Sequence, residues 1–314
     1  MATREPLTPR VTVLMPVRNG ERWIRESLLS LSVQTYRDFE ILLVDDGCTD
    51  STVELAQSMD IPQMRIIPGP QQGLAKALAL GVVLSRGSFI ARQDADDISE
   101  PNRLECQIRH LDEHPSCVAV GSWALEISES GTVTGILKAP VTDRAVRLRA
   151  LLFSPLIHPS AVMRRATILS VGNYRSPGTK PYAEDFDLWS RLLQVGMVHN
   201  IPETLIRYRR SATGITATST REIAESSAQI AAMNLARHLS PSTPTVQDEM
   251  ILTGFYQRLR GVPIRDSLRL VRRMLQARLS FGLRPATYGL PWRTYVTPLL
   301  WVFPSFRRRV PVSD

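Results

Sequence analysis

Over the first hundred positions, apolar residues come in short unbroken runs, each followed by a polar cluster and then by helical periodicity. Val11-Thr12-Val13-Leu14-Met15 predicts a buried strand stopped by Pro16. Trp23, Ile24, Leu28 and Leu31 then share one helical face. Residues 39–44 predict a second strand that ends in Asp45-Asp46-Gly47-Cys48-Thr49-Asp50, where Thr49, Asp50 or Ser51 can N-cap a helix from Thr52 to about Met59. Residues 64–67 predict a third strand, 73–84 a third helix, and 88–92 a fourth strand closed by Asp94-Ala95-Asp96-Asp97. Ser99 and Pro101 open the next helix, which Leu104, Ile108 and Leu111 mark. Strands and helices that alternate with short links form a parallel, doubly wound sheet, and such sheets bind ligands beyond the carboxyl ends of their strands. The polar clusters at 16–20, 45–50 and 94–97 all fall at those ends.

From residue 117 the pattern changes. Residues 117–127 and 132–137 predict a hairpin around Glu129-Ser130-Gly131, followed by a helix near 143–152 and a short strand at Ala161-Val162-Met163. Tyr182-Ala183-Glu184-Asp185 leads into a helix with Phe186, Trp189 and Leu193 on one side, which Gly196 closes. Residues 205–209 predict the final strand. Beyond about 215 only helical periodicity remains, broken by a Pro/Ser/Thr linker at 240–245. The expected organisation is an α/β domain over residues 1–215 and a helical extension over 216–314.

Charge separates the same two parts. The 314 residues carry 38 Lys+Arg and 30 Asp+Glu, a net +8, yet residues 251–314 hold twelve Arg against two Asp. The remainder therefore sums to −2. An Arg-rich tail favours a polyanion, either a nucleic acid or an anionic membrane surface. Thr294 to Phe306 is an uncharged stretch of thirteen residues with two prolines, too short to span a bilayer. Its aromatics beside Arg307-Arg308-Arg309 suit an interfacial segment; the plain reading is a segment packed on the protein's own surface, or a dimer interface. An apolar fraction of 43% excludes wholesale disorder. Cys48, Cys106 and Cys117 form no CxxC pair, which excludes a disulfide scaffold or a four-cysteine zinc site and points to a reducing compartment. The polar first ten residues show no secretory leader.

Candidate chemistry sits in the acidic clusters. Alternation at a strand end puts Asp94 and Asp96 on one side, and two such carboxylates bind Mg²⁺ or Mn²⁺ together with substrate phosphates; the plain reading is an acidic turn capping the next helix. Asp45-Asp46-Gly47 is equally a turn or an acceptor for a nucleobase N–H or ribose hydroxyl. Glu184-Asp185 is a helix cap or a general base at the rim of a site. The absence of GxxxxGK[ST], and of GxGxxG after the first strand, counts against an NTPase and a dinucleotide dehydrogenase. His110 and His114 stand i, i+4 on a helix with no third ligand in view, and are expected at the surface.

Five ordered segments together resemble the inverting, nucleotide-sugar-dependent glycosyltransferases of family 2, of GT-A fold, over residues 10–210. They are Val13-Leu14-Met15-Pro16-Val17-Arg18-Asn19; Val44-Asp45-Asp46-Gly47-Cys48-Thr49-Asp50; Ile90 to Ile98 with Pro101-Asn102-Arg103-Leu104; His158-Pro159-Ser160-Ala161-Val162-Met163; and Ala183-Glu184-Asp185-Phe186-Asp187-Leu188-Trp189. The resemblance implies that Pro16, Val17 and Arg18 line the nucleotide pocket and that Asp46 receives the base edge, commonly uracil. It makes Gly73 and Lys76 donor contacts, Lys76 toward the diphosphate. It makes Asp94 and Asp96 the Asp-x-Asp motif, with Asp96 the direct ligand of Mg²⁺ or Mn²⁺. Asp185 becomes the base, with Glu184 beside it in the substrate site. Cys48 stands where the family usually has Ser, and Ala79 where many relatives carry Asn.

The implied activity is metal-dependent transfer of a sugar from a nucleoside-diphosphate donor, UDP foremost, to a hydroxyl of a glycan or lipid-linked acceptor. The setting would be cell-surface polysaccharide biosynthesis in the cytoplasm, at the inner face of the membrane through the tail, with no nucleic-acid partner. The alternatives are a sugar-nucleotide nucleotidyltransferase, whose phosphate loop Pro16 to Gly20 supplies only poorly, and a non-catalytic binding module.

Overall fold

The computed structural model of the chain describes residues 8–176, 182–212, 214 and 218–239. Two strands, β1 (Val11–Val17) and β2 (Phe39–Asp45), form the centre of the parallel part, and nearly every residue in them is buried. Their continuous apolar runs follow from that position, because a strand covered on both faces has no polar side to show. Helix α1 (Ile24–Ser32) leads into β2, and α2 (Thr52–Gln57) leads on to β3 (Met64–Pro68). Helix α3 (Leu74–Leu84) then leads to β4 (Phe89–Arg92). β1 to β4 pair in parallel in the order β3-β2-β1-β4.

The rest of the sheet is mixed. After β5 (Ile98–Ser99) and α4 (Arg103–Glu113) come the long strand β6 (Cys117–Ile127) and its hairpin partner β7 (Val133–Leu137). Helix α5 (Asp143–Ala150), a 3-10 turn (His158–Ser160), β8 (Val162–Arg164) and α6 (Arg165–Ser170) follow. Helix α7 (Glu184–Leu192), β9 (Met197–Arg209) and α8 (Thr220–Leu239) complete the described chain. Among the described residues the sheet has nine strands, in the order β3-β2-β1-β4-β8-β6-β9-β5, with β7 beside β6.

Strand alternation feeds a layer on each face. Val13, Met15, Ile41 and Leu43 pack with Leu28 of α1 and Leu104, Ile108 and Leu111 of α4. Leu14, Leu42 and Val44 pack with Leu78 and Val82 of α3 and with Leu188, Trp189 and Leu192 of α7. Helix α8 adds Ala228, Ala231 and Leu235 over Leu151, Leu152 and Phe186. Among the described residues no helix is long and apolar enough to cross a membrane. The linker at 240–245 and the Arg-rich tail lie outside the described residues.

Several expectations need correction. Ser99 does not open α4: it lies in β5, and the helix starts at Arg103 with Asn102 as N-cap. Pro16 does not stop β1, which continues to Val17. Leu14 O accepts from Gln93 N–H and Val17 O from Asp46 N–H, so alternate residues address opposite neighbours. The nitrogen of Pro16 thus faces the β4 side, where β4 has already ended, and its missing N–H costs no ladder bond. The final strand spans Met197–Arg209 and not only its last five residues. Its register on β6 jumps from Ser122↔Ile201 to Trp123↔Thr204, so Pro202 and Glu203 bulge out and hide the first half from a periodicity reading. Finally, His110 is half-buried, with His199 at 3.0 Å, and only His114 is exposed.

Candidate active site

The carboxyl ends of β1, β2 and β3 are tied into one rim. Asp46 N–H donates to Val17 O at 2.9 Å and Gly69 N–H to Asp45 O at 2.6 Å. Asp45 spends Oδ1 on the turn, accepting from Gly47 N–H at 3.2 Å and Cys48 N–H at 2.7 Å. Asp46 points elsewhere: its Oδ2 accepts from Gly73 N–H at 2.9 Å, while its buried Oδ1 has no hydrogen-bond partner. A buried acceptor without a donor is costly unless a ligand supplies one. Gly73, just before α3, has φ +88°, a left-handed geometry that suits glycine. Pro16 and Val17 are buried beneath the rim; Arg18 and, on the first turn of α3, Lys76 are exposed.

The acidic segment after β4 is a turn, not an alternating strand end. It brings three carboxylates together where two were expected: oxygens of Asp94, Asp96 and Asp97 lie within 4.8 Å of one another. Buried polar groups hold the turn. Arg103 donates to Gln93 Oε1 at 2.6 Å, Ser99 Oγ at 2.8 Å and Arg92 O at 2.6 Å, and Gln93 Nε2 donates to Asp97 O at 2.9 Å. Burial pushes the Arg103 guanidinium down to about 9. From β9, Arg209 donates its backbone N–H to Asp97 Oδ1 and its Nε to Asp96 O, each at 2.8 Å. Burial, then the charge of Asp94, pushes Asp96 up to about 6, and burial with the charges of Asp94 and Asp96 also raises Asp97 well above the usual carboxylate range. Asp97 Oδ2 is buried without a partner. Clustered oxygen donors, like-charge strain and an orphaned oxygen fit a hard divalent cation.

Arg92, the last residue of β4, carries no functional signature in the sequence. It is 2% exposed and pairs with Asp94. Burial disfavours its charge, but Asp94 outweighs burial and the pKa is raised. The same guanidinium stabilises the charged forms of Asp96, Asp185 and Glu184 and disfavours charge on His158. The only advance signal was a cation closing an apolar strand.

Across Arg92 stands the first turn of α7. Ala183 precedes it at φ 65°, a conformation that costs a non-glycine residue about 1 kcal/mol or more. Glu184 is buried and Asp185 half-buried. Ser154 Oγ donates to Asp185 Oδ2 at 2.9 Å. Burial raises Asp185, against the pull of Ser154, whereas burial and the neighbouring Asp185 push Glu184 up to about 8. His158, half-buried and held neutral by desolvation, has Nδ1 3.8 Å from Glu184 Oε1 and Nε2 3.0 Å from the Tyr174 hydroxyl. The 3-10 turn His158–Ser160 thereby meets the first turns of α7 through His158. Asp94, Asp96, Glu184 and Asp185 therefore share one electrostatic environment, while Asp46 and Gly73 form a second point on the same rim.

Comparison with known proteins bears on this arrangement. Residues 12–170 match the family model described as Glycosyl transferase family 2. A Haemophilus influenzae protein described as an uncharacterized glycosyltransferase is 31% identical over 245 residues, covering 74% of this chain and 75% of the relative. The amylovoran biosynthesis glycosyltransferase AmsE of Erwinia amylovora is 30% identical over 204 residues, 63% of this chain and 75% of AmsE. Among solved structures, S. aureus TarS 1–349 in complex with UDP-GlcNAc matches with a TM-score of 0.60 at 18% identity, over 97% of this chain and 95% of that one. At that identity the likeness is one of fold.

Proposed function

Because the chain belongs to glycosyl transferase family 2, we propose that its site moves a sugar from a nucleoside-diphosphate donor, UDP foremost, to a hydroxyl of a glycan or lipid-linked acceptor with inversion at the anomeric carbon. The observation that carries the reading is the shared influence of Arg92 on two carboxyl sets, Asp94-Asp96-Asp97 and Glu184-Asp185. An inverting transfer needs that pairing: one set serves the departing diphosphate, the other the incoming alcohol on the opposite face of the sugar.

In this reading Asp46 Oδ1 accepts the imide N–H of the base, and Gly73 keeps the carboxylate turned by holding Oδ2. Pro16 and Val17 wall the base, and Arg18 and Lys76 carry positive charge at the mouth, Lys76 toward the diphosphate. Asp94 and Asp96 would hold Mg²⁺ or Mn²⁺, with Asp97 behind them. When bound, such a cation neutralises charge on a leaving diphosphate. Asp185 takes the proton of the acceptor hydroxyl: Ser154 holds Oδ2, which leaves Oδ1 for the proton. Glu184 stays protonated below about pH 8 and so adds no second negative charge beside the base. The acidic pair and the base act on opposite sides of one carbon, so a single in-line displacement inverts it.

The relative named for amylovoran biosynthesis supports polysaccharide assembly as the setting, and TarS with UDP-GlcNAc supports a UDP donor. A cytoplasmic enzyme whose Arg-rich tail rests on the inner membrane face would meet a lipid-linked acceptor there. The test is Asp185→Asn. We expect turnover to fall at least about 10²-fold while donor affinity, read by calorimetry, stays within about twofold. Transfer near the wild-type rate in a folded variant would end the mechanism.

A further inference from the structure

At the opposite end of the sheet a second cluster of titratable side chains plays no part in glycosyl transfer. β6 runs antiparallel to β8, which runs antiparallel to β4, so β6 shares the direction of β4. Cys117 opens β6, and His199 is the third residue of β9, which pairs with β6 in parallel. Both therefore lie at the edge away from Asp94 and Asp96. Helix α4 brings His110 onto the same spot from its last turn. A ring nitrogen of His110, one of His199 and the Cys117 sulfur all lie within 4.8 Å of one another. His110 Nε2 and His199 Nδ1 are already 3.0 Å apart. His114 stacks on His110 at 4.3 Å between ring centroids and meets His199 edge-on at 5.7 Å.

We propose that His110, His199 and Cys117 form a binding site for a thiophilic divalent cation of the zinc class, distinct from the acidic site and structural in role. Two imidazoles and a thiolate are the donor types zinc selects, whereas three carboxylates select magnesium or manganese. Ligand atoms of a tetrahedral zinc stand roughly 3.3–3.8 Å apart, given bonds of about 2.0–2.3 Å. The separations in the cluster, 3.0 Å between the two imidazole nitrogens and at most 4.8 Å elsewhere, lie within about 1 Å of that spacing. A cation would replace the 3.0 Å hydrogen bond between His110 Nε2 and His199 Nδ1, each ring turning a lone pair to the metal and keeping its proton on the other nitrogen. Cys117 donates its thiol to Ala119 O at 3.1 Å. On binding, the S–H bond breaks, its proton passes to bulk water, and the sulfur's electron pair forms the bond to the cation. The bound ion would pin α4 to the starts of β6 and β9. A fourth position remains for water or for the neighbouring exposed His114.

The test uses the full chain in excess Mg²⁺, which occupies the acidic site, with Co²⁺ as probe. Thiolate-to-cobalt charge transfer absorbs in the near ultraviolet, and carboxylate ligands give no such band. We expect a one-equivalent band, displaced by Zn²⁺, and a rise in melting temperature with Zn²⁺. Cys117→Ser should remove the band and weaken Zn²⁺ binding at least about a hundredfold while circular dichroism stays native. His199→Gln should weaken binding comparably, which covers the case in which Cys117→Ser fails to fold. No band in the folded wild type overturns the proposal. So does a band that persists in Cys117→Ser, because the sulfur would then come from Cys48 or Cys106. Neither result depends on the transferase reading, which Asp185→Asn tests separately.

Discussion

The parallel half of the sheet, β1 to β4, and the mixed half, β5 to β9, each bring carboxylates under the influence of Arg92, but they hold them in different ways. In the parallel half the acids lie in turns at strand ends, where backbone N–H groups and buried arginines stabilise them: Asp45 accepts from Gly47 and Cys48, and Asp97 from Arg209. In the mixed half Glu184 and Asp185 sit in the first turn of a helix whose apolar face is sunk in the core, where Ser154, helix-end N–H groups and the more distant Arg92 do not offset burial, and a neutral histidine lies beside Glu184. The first arrangement gathers charge and leaves oxygens free for a cation. The second suppresses one charge and keeps the other basic. Arg92 stands between them, so a change on either side is felt on the other.

The largest effects should separate the halves by which kinetic constant moves. Asp96→Asn removes a proposed cation ligand and is expected to lower kcat by roughly 10²–10³-fold and to weaken metal-dependent donor binding. Asp185→Asn should lower kcat alone. If calorimetry with donor and Mn²⁺ shows both variants weakening donor binding equally, the division of labour between the halves is wrong.

The halves also differ in how far the sequence discloses them. β1, β2 and β4 are apolar runs that each end in a polar cluster, so the order of β1 to β4 and the places of Asp46 and Asp94 are legible along the chain, whereas Asp185 is marked only by the resemblance of its helix segment. The mixed half interleaves β8, β6 and β9 out of chain order, and no local pattern encodes such pairing. The Pro202–Glu203 bulge concealed half of β9. Long-range proximity concealed the rest: Arg92 lies about ninety residues from Glu184, and Ser154 thirty-one from Asp185. Asp97 was legible as an acid but not as a third member of the cluster, because a turn, not strand alternation, aims it.

A second effect, several kcal/mol at most, tests the suppressed charge. Glu184 titrates near 8 when folded and near 4.5 as an ordinary carboxyl. Below about pH 4.5 both states are protonated and burial of this group costs nothing. As pH rises toward 8 the unfolded chain releases its proton first, so the folded state loses stability, by roughly 3–5 kcal/mol once pH exceeds 8. Glu184→Gln abolishes that loss. Urea unfolding at pH 5, 7 and 9 should show the variant gaining on the wild type as pH increases. A constant difference would mean that Glu184 is ionised in the fold.

A smaller effect belongs to the donor half alone. A Cβ on Gly69 would lie 2.8 Å from Asp45 O and 3.1 Å from Asp46 Cα, both backbone atoms with little room to yield. Gly69→Ala should displace the Asp46 carboxylate from the base and raise donor KM about tenfold, near 1.4 kcal/mol, with kcat within about twofold. A drop in kcat at unchanged KM would place Gly69 with the chemistry and not with the base.

The smallest effect concerns Cys48, in the turn that carries Asp46. Its sulfur accepts from Asn19 N–H at 3.3 Å and its thiol reaches Val17 O at 3.7 Å. Burial, with Asp45 alongside, pushes the thiol up to about 11, so at pH 7.5 almost none is thiolate. Two outcomes follow. Cys48 should resist maleimide in the folded protein, and Cys48→Ser should leave donor KM within about twofold and stability within about 0.5 kcal/mol, since a hydroxyl can make both hydrogen bonds at shorter range. If Cys48→Ser instead shifts KM as far as Gly69→Ala does, the position of Asp46 depends on sulfur packing in this turn and not on the backbone bonds from Gly69 and Gly73.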